Sequence, residues 1–431
     1  MKLTTLTTVF AITALIASLS FAGQEQLSPI TRTLDPVVVT GGTTGLLNAP
    51  LSNYGLFAIR NNKVVSIPFQ IDERNAQGEF ILTQGKHASK DSDNGLFDAN
   101  DELVFMARDT GDKVSGNAIF LDTYKGLVEL EVRDPATDKR GWVYLMSFDL
   151  PFEAPNTDYV IYNDKEASFK TPYFSGQYDS KHPVGVDKYA FESGLGGNGE
   201  DFVDRIKVRV KIKSMGVPLN RTEDDIKVKE LGRIDGPVRV ISYTENTTPL
   251  VFGIPVSATK QYIYYYDMYA DFAFSASFPI KPGFFRATIV DDFKNALGWT
   301  FYNSNNPDGH VIDGVMDDTD AALDRSPWTW SVLTDGKVSF WSVWTAPEGC
   351  PVQASLYFKD DKNAKDDHEN DPGELPGIGF DFNIGWDQLK EDLVELRLLH
   401  FYTKGYEKGM EKEIRNVIDA PLQVSANPVV L

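Results

Sequence analysis

The sequence predicts a mainly β protein in which antiparallel sheets stack face to face and helices are few. Apolar and polar residues alternate with period two along many stretches, as they do in strands that bury one face. Aromatic residues make up 12% of the chain, which suits broad sheet faces packed against one another. Helical periodicity is limited to two short stretches. We therefore expect a fold built on sheets.

Residues 1–22 have the three parts of a secretory signal peptide. Lys2 precedes an apolar run, and the small residues Ser20 and Ala22 suit cleavage after Ala22. The run is short for a bilayer span, although an uncleaved anchor helix is the alternative. No later stretch of the sequence is apolar enough for a membrane helix. We therefore expect a periplasmic or secreted protein that has no membrane span once the signal is removed.

The clearest strand runs over residues 204–213, where charged residues alternate with Ile206, Val208, Val210 and Ile212. Asn61-Asn62 predicts a hairpin turn between two further strands. The other predicted strands cover residues 54–60, 63–71, 127–132, 142–148, 238–243, 261–266, 338–344 and 352–358. The two helical predictions are residues 386–396 and a short turn within 318–325.

A domain boundary is predicted near residues 149–160, where prolines cluster between strand-like runs. The mature chain then divides into an N-terminal antiparallel β-sandwich, residues 23–150, and a larger domain, residues 151–431. The larger domain is long enough to need two large stacked sheets. The glycine-rich stretch 194–199 is the alternative boundary, and it lacks the context of a phosphate-binding loop.

The charge of the chain argues against nucleic acid as a partner. The sequence has 62 Asp and Glu against 42 Lys and Arg, a formal net charge of -20. A polyanion is repelled by such a field, and no basic block with interleaved aromatic residues occurs. An acidic surface also attracts divalent cations, although solubility alone explains such charge equally well. Because Cys350 is the only cysteine, stability has to come from a large buried core.

An acidic loop at residues 90–105 predicts a calcium site. Carboxylate and amide side chains surround Gly95, which lets a tight loop turn several oxygens toward one hard cation. The alternative is that Asp98 and Asn100 form Asx turns that lead into a strand. A second acidic loop, residues 359–371, has interspersed lysines and favours a mobile surface loop. The predicted calcium ligands are Asp91, Asp93, Asp98, Asn100, Asp101 and Glu102.

Three short stretches carry a resemblance to a known architecture. They are Ile-Pro-Phe-Gln-Ile-Asp at residues 67–72, Asp-Glu-Leu-Val-Phe at 101–105 and Gly-Pro-Val-Arg-Val-Ile at 236–241. In this order they resemble exported galactose-mutarotase-like β-super-sandwich proteins of carbohydrate processing. The resemblance implies a super-sandwich in the larger domain and a carbohydrate ligand on its concave face.

One predicted strand has the aromatic side chains that a sugar needs. Sugar rings stack their C–H faces on aromatic side chains, and sugar hydroxyls need planar polar partners. Tyr262, Tyr264 and Tyr266 alternate along one strand, so they are the predicted aromatic platform. The alternative is that these rings pack in the core.

Chemistry of the polysaccharide-lyase type needs a base and a cation that neutralises a uronate carboxylate. His310 or a strand tyrosine is the candidate base, and Arg239 or Arg286 is the candidate cation. The sequence contains no HExxH pair and no GxSxG motif. The predicted ligand-binding residues are therefore Tyr262, Tyr264, Tyr266, Arg239, Arg286 and His310.

Two classes of function follow from these observations. The first is an exported carbohydrate-binding or carbohydrate-processing protein, with polysaccharide-lyase-like chemistry as one form, whose partner is a polysaccharide or oligosaccharide. The alternative is a non-enzymatic structural or assembly β protein with calcium-stiffened loops. Catalytic residues and oligomeric state stay open at this point.

Overall fold

Antiparallel sheets make up most of the described structure, so the mainly β prediction is confirmed. The computed structural model describes residues 29–85, 88–89, 95–114, 123–179, 186–214, 217–249, 255–277, 284–365, 373–389 and 393–429. Strands account for 52% of the described residues and helices for 10%. The predicted signal peptide, residues 1–22, lies outside the described residues. Within the described ranges, no helix is both long and apolar enough to cross a membrane.

The first part of the chain forms an antiparallel sandwich, as predicted. One sheet has the order β1-β5-β4, and β6-β7-β2-β3 run side by side in the other. Their apolar faces meet in a core that includes Leu56, Phe105 and Leu145. The elements are β1 (Pro36–Thr40), α1 (Gly41–Thr44), β2 (Tyr54–Arg60), β3 (Lys63–Ser66), β4 (Gln70–Asp72), β5 (Glu102–Met106), β6 (Tyr124–Arg133) and β7 (Arg140–Phe148).

The second part of the chain is also built mainly of strands, and its described residues include the α-helices α2 and α3. These elements are β8 (Ile161–Asn163), β9 (Ser168–Lys170), β10 (Phe174–Tyr178), β11 (Val186–Phe191), β12 (Val203–Ser214), β13 (Val217–Arg221), β14 (Lys227–Asp235), β15 (Val240–Pro249), β16 (Pro255–Tyr265), β17 (Tyr269–Ser277), β18 (Phe284–Phe293), β19 (Thr300–Asn303), β20 (His310–Val311), α2 (Asp318–Ala321), β21 (Trp330–Thr334), β22 (Val338–Thr345), β23 (Gln353–Asp361), β24 (Glu374–Ile384), β25 (Leu393–Lys404), α3 (Met410–Asp419) and β26 (Gln423–Pro428).

Two large sheets stack in this second part, which confirms the predicted two-sheet architecture. A nine-stranded sheet has the order β14-β15-β16-β17-β25-β22-β21-β19-β20, and a five-stranded sheet has the order β13-β12-β18-β24-β23. Their facing side chains share one apolar core, in which Phe293 of the smaller sheet contacts Phe340 of the larger with ring centroids 5.3 Å apart. A third sheet, β11-β10-β9-β8, adds Phe174 to the same core.

The other face of the nine-stranded sheet, here called its outer face, is partly covered by the rest of the chain. Val343 and Leu399 on this face pack against Ile414 of α3 and against Val104 and Met106 of β5. The last strand, β26, pairs with β6 of the first part. The chain therefore returns to its first sandwich after completing the larger one, and the division near residue 150 stays a prediction.

Two details of the predicted strands are confirmed or refined. The β2–β3 turn at Asn61 and Asn62 has φ of 52° and 59°, the left-handed pair that a two-residue hairpin requires. The predicted strand over residues 63–71 is divided at Pro68, which has no N–H to donate to a ladder. Its halves, β3 and β4, pair in different sheets.

The predicted helix at residues 386–396 is wrong. Of the described residues in this range, Trp386–Gln388 form a single 3-10 turn, and β25 begins at Leu393. Residues 394, 396, 398 and 400 also alternate, and pairing with β17 and β22 on both sides decides in favour of the strand. The short helix predicted within 318–325 is confirmed as Asp318–Ala321. Asp317 and Asp320 form a capping box at its N-terminus.

Strand β12 differs from the predicted half-exposed strand. Ile206 and Ile212 face the core as expected, but Arg205 and Lys207 on the opposite face are also buried. Lys207 Nζ lies 2.8 Å from Asp292 Oδ2 of β18 and 3.4 Å from Glu374 Oε1 of β24. The neighbouring strands supply carboxylates at this place, so the charges pair inside the protein.

Candidate functional site

Five strands of the nine-stranded sheet present one row of side chains on its outer face. Tyr243 of β15 lies opposite Tyr262 of β16, which lies opposite Ala273 of β17. Ala273 lies opposite Arg397 of β25, and Arg397 lies opposite Thr345 of β22. Directly opposed residues in antiparallel strands point to the same face, so these side chains form a line across the sheet.

The row lies in a groove of about 580 Å³, within the range of small-molecule sites. Ala273 and Ser275 are small, so they leave a depression between the tyrosines and Arg397. Lys260 lies opposite Ser275, and its side chain is exposed. We call this feature the tyrosine groove, and define it by Tyr243, Lys260, Tyr262, Ala273, Ser275 and Arg397.

The two tyrosines of the groove form a rigid aromatic wall. The rings of Tyr243 and Tyr262 stack with centroids 4.1 Å apart and an angle of 13° between their planes. Phe80, which is buried, supports Tyr262 from the edge at 5.6 Å. Burial raises the pKa of the Tyr262 phenol, so the hydroxyl stays neutral and can donate a hydrogen bond.

Arg397 supplies a fixed planar cation on the other side of the depression. Its Nε lies 3.2 Å from Asp271 Oδ1, and its Nη2 pairs with Asp271 Oδ2. The guanidinium is 48% exposed, whereas Asp271 lies buried beneath it. Burial raises the pKa of Asp271, and the contact with Arg397 opposes this shift. A guanidinium has five N–H donors and this pair uses two, so others remain for a ligand.

A buried ion cluster lies beside the groove and joins the three stretches on which the resemblance rests. Arg239 donates from Nη2 to Asp72 Oδ2 at 2.7 Å and from Nη1 to Tyr266 Oη at 3.2 Å. Gln70 Oε1 accepts from the backbone N–H of Val238 and of Arg239 at 2.9 and 2.8 Å. Glu102 accepts a further hydrogen bond from Arg239. The cluster therefore connects residues 67–72, 101–105 and 236–241 across two sheets.

Glu102 bridges two arginines in this cluster. Its Oε1 lies 2.6 Å from Arg74 Nη2, and its Oε2 pairs with Arg239. Burial opposes ionisation of Glu102, but the two arginines outweigh burial and hold its pKa below the usual range. Arg74 lies over the Phe80 ring at 3.7 Å from the centroid. The cluster thus supports the ring that supports Tyr262.

The structure brings together four of the predicted ligand-binding residues. Tyr262 lines the groove, and Tyr264 lies beside it with ring centroids 6.2 Å apart. Tyr266 is 4% exposed and stacks on Tyr269 in the core. Arg239 is 3% exposed and lies behind Tyr264, with its guanidinium 5.4 Å from the ring centroid.

The other two predicted residues lie apart from the tyrosines. Arg286 is on β18 of the five-stranded sheet, where it forms a bidentate pair with Asp381. His310 is on β20 at the far edge of the nine-stranded sheet, and its Nε2 lies 2.9 Å from Asp320 Oδ1. Neither residue shares a cavity wall with Tyr262 among the described residues.

Of the predicted calcium ligands, Asp91 and Asp93 lie outside the described residues. Asp98 Oδ1 accepts from the Asn100 N–H at 3.2 Å, as in an Asx turn. Asp101 accepts from the N–H groups of Arg74 and Asp98 at 2.8 and 2.9 Å. Protein donors therefore engage this part of the loop, and no metal-binding group of three or more acidic, His or Cys side chains occurs where the chain is described. Calcium binding stays a prediction that depends on Asp91 and Asp93.

The predicted ligand-binding residues do not include Tyr243, Lys260, Ala273, Ser275 or Arg397. Lys260 shares the parity of Tyr262 and Tyr264 along β16, so alternation alone places it on the same face. Tyr243 and Arg397 join the row only through strand register, which is a property of the folded sheet.

Solved structures are similar to this chain at very low sequence identity, and one of them has a TM-score above 0.5. An α-mannosidase from Enterococcus faecalis matches 93% of this chain and 45% of its own at 9% identity, with a TM-score of 0.51. A GalM/aldose epimerase homologue from C. elegans matches 55% of this chain and 97% of its own at 9% identity, with a TM-score of 0.35. An α-N-acetylgalactosaminidase from Bifidobacterium bifidum matches 58% and 38% at 11% identity, also with a TM-score of 0.35.

These likenesses concern the fold alone. The chain spans less than half the length of the mannosidase, 45%. The resemblance to galactose-mutarotase-like super-sandwich proteins is confirmed as a likeness of architecture. No model of a protein family matches the chain, and no curated protein matches it.

Proposed function

We propose that this protein binds a carbohydrate in the tyrosine groove and is an exported carbohydrate-binding or carbohydrate-processing protein. The observation that carries the proposal is the stacked pair Tyr243–Tyr262, which faces Arg397 across the small residues Ala273 and Ser275. Export is part of the proposal because residues 1–22 have the pattern of a signal peptide.

The groove offers both kinds of contact that a sugar ring needs. An aromatic wall packs against the apolar C–H face of the ring, and its rigidity keeps the entropy cost of binding low. Lys260 and the free N–H groups of Arg397 can donate to ring hydroxyls. The shared fold with an enzyme described as an α-mannosidase is a further reason to test sugars first.

The charges around the groove favour a neutral saccharide over a polyanionic one. Lys260 is matched by Glu395 on the wall of the groove, and Arg397 is matched by Asp271. The groove therefore has little net positive charge to attract a uronate or a sulfate. Burial raises the pKa of Tyr262, which also opposes its use as the base of a lyase-like elimination.

Binding is tested by calorimetric titration with a panel of neutral and acidic oligosaccharides. We expect a neutral oligosaccharide to bind wild type, and Tyr262→Ala to weaken binding at least tenfold through loss of the stacked wall. Tyr302→Ala is the matched control, because Tyr302 is a half-buried tyrosine whose ring contacts Tyr406 outside the groove. Equal binding by wild type and Tyr262→Ala would place the sugar elsewhere.

Processing is tested on the ligands that bind. Release of reducing ends indicates hydrolysis, and ultraviolet absorbance of unsaturated ends indicates elimination. If no saccharide binds at millimolar concentration, the proposal fails and the alternative of a structural or assembly protein takes its place. The buried ion cluster that joins the two sandwiches is the feature that favours this alternative.

A further inference from the structure

A second cavity lies between the two stacked sheets, on the opposite face of β16 and β17 from the tyrosine groove. Its volume is about 200 Å³. Ile206, Val208, Val210 and Ile212 of β12 form one wall. The facing wall, from the nine-stranded sheet, includes Phe272 and Leu398. This is the apolar face of the best-patterned strand in the sequence, and part of it faces space instead of side chains.

The cavity is long and narrow. The four β12 side chains that line it span six residue steps, which is about 20 Å along a strand at roughly 3.3 Å per residue. An engineered apolar cavity of about 150 Å³ binds a compact benzene molecule. The cavity in this protein has a slightly larger volume, about 200 Å³, and it is much longer than a benzene molecule. The shape therefore fits one unbranched chain better than a ring.

The two ends of the cavity differ in polarity. One end reaches His400, which is fully buried, and burial lowers its pKa to about 3, so the imidazole there is neutral. The other end has Asn246, Thr259 and Gln261, with Asn246 Nδ2 donating to Gln261 Oε1 at 3.0 Å. The buried Oδ1 of Asn246 has no hydrogen-bond partner within the described part of the chain.

The cavity is reachable from solvent. Val208 and Val210 keep accessible surface although they point between two sheets. The His400 end leads into the packed aromatic core around Tyr189 and Phe340, so a ligand would enter from the Asn246 end. A ligand that has an apolar chain and a polar head would fit this site, since the channel is apolar and two amide side chains lie at its entrance.

We propose that this cavity binds an unbranched acyl chain, with the chain along β12 and its polar head at Asn246 and Gln261. Side chains that line an empty cavity lose contacts on one side, and an aliphatic chain restores them. The site is on the opposite face of the sheet from the tyrosine groove, so this inference stands independently of the carbohydrate proposal.

The first test is calorimetric titration of the full protein with laurate. We expect saturable binding of one molecule to wild type. Ala287→Phe and Val208→Phe each fill the cavity and should weaken binding more than about tenfold, since exclusion of two methylene groups alone has that effect. Lys211→Phe is the matched control, because it places the same ring on the exposed face of β12. Tyr262→Ala should also bind laurate normally.

The second test does not depend on the folding of cavity-filled variants. Trp386 lines the cavity, so bromine-labelled laurate should quench its fluorescence. Trp386→Phe should abolish the bromine-dependent quenching, and Trp142→Phe, in the first sandwich, should retain it. Vesicles of bromine-labelled phosphatidylglycerol form a parallel arm: quenching there identifies a lipid as a source of the chain. Absence of saturable quenching from both sources, or quenching that survives Trp386→Phe, would overturn the proposal.

Discussion

Arg239 and Asp72 form a buried ion pair that connects the two sandwiches, with Nη2 and Nε 2.7 and 2.9 Å from Oδ2. Removal of one partner leaves a buried charge without compensation. We expect Arg239→Met to lower the free energy of unfolding by about 3–5 kcal/mol, as measured by urea denaturation. The loss should reach both sandwiches, since Asp72 and Glu102 belong to the first and Arg239 to the second.

Arg415→Met is the control for this prediction. Arg415 pairs with Asp419 one turn along α3, with Nη2 2.6 Å from Oδ1, and Asp419 is 49% exposed. An exposed pair of this kind contributes only a few tenths of a kcal/mol. If Arg239→Met and Arg415→Met lost the same free energy of unfolding, the buried cluster would not be what holds the two sandwiches together.

Ala273→Leu should block the tyrosine groove without disturbing the sheet. The added side chain projects from the depression between Tyr262 and Arg397, where a sugar ring would lie. We expect the variant to melt like wild type and to bind oligosaccharide at least tenfold more weakly, as measured by calorimetry. Ala322→Leu, at an exposed position after α2, provides the same substitution away from the groove and should bind normally. Normal binding by Ala273→Leu would exclude this groove as the sugar site.

Asp291 and His400 should give opposite pH dependences of stability. Their Oδ1 and Nε2 lie 3.6 Å apart in the core. Burial raises the pKa of Asp291 to about 7 and lowers the pKa of His400 to about 3. In the unfolded chain these pKa values are about 3.9 and 6.5. Asp291 therefore stabilises the fold at low pH and loses this effect as the pH rises to about 7. His400 stabilises it above about pH 6.5 and loses this effect toward acid.

Single variants separate the two effects. With Asp291→Asn only the histidine remains, so stability relative to the double variant Asp291→Asn/His400→Asn should fall as the pH drops from about 6.5 to 4. With His400→Asn only the carboxyl remains, so stability relative to the same double variant should fall as the pH rises from about 4 to 7. Each slope should approach about 1.4 kcal/mol per pH unit in urea titrations. Parallel profiles for the two variants would contradict opposed titration.

Calcium should raise the melting temperature if the acidic loop binds it. Asp91, Asp93, Asp98, Asp101 and Glu102 crowd negative charge into a short stretch, and a cation would relieve their repulsion. At about a hundred times the dissociation constant, the gain is about 2.7 kcal/mol. The shift should reverse with chelator, disappear in Asp93→Ala/Asp98→Ala and persist in Asp366→Ala/Asp367→Ala. If wild type melted at the same temperature with calcium and with chelator, the prediction that this loop binds calcium would be wrong.

The local sequence pattern predicted most strands, but it could not predict how the strands pair or which side chains meet between them. The residue pattern at 54–60 predicts a strand, and this strand appears as β2 with the same bounds. Residues 386–396 misled because apolar residues there satisfy both periods, and only pairing with β17 and β22 selects the strand. Buried Lys207 was predicted on a solvated face, since its partners Asp292 and Glu374 are distant in sequence.

The candidate site shows the same division. Tyr262 was identified because its alternation with Tyr264 is local, whereas Tyr266 falls beyond the end of β16 and turns into the core. Arg397 could not be identified, because its place opposite Ala273 depends on the register of β17 against β25. The line of groove side chains across five strands depends on how those strands pair. A single sequence does not specify that pairing.

Strand β26 at the edge of the first sheet has a consequence for the order in which the protein assembles. It pairs with β6 along Gln423–Pro428, and this pairing hides a strand edge that would otherwise be open to other chains. The first sandwich is therefore synthesised first and completed last, because β26 follows the strands of the larger sandwich in the sequence. Until β26 has been synthesised, β6 is an unpaired edge strand of the nascent chain. A chain that ends before β26 should therefore aggregate by pairing through β6.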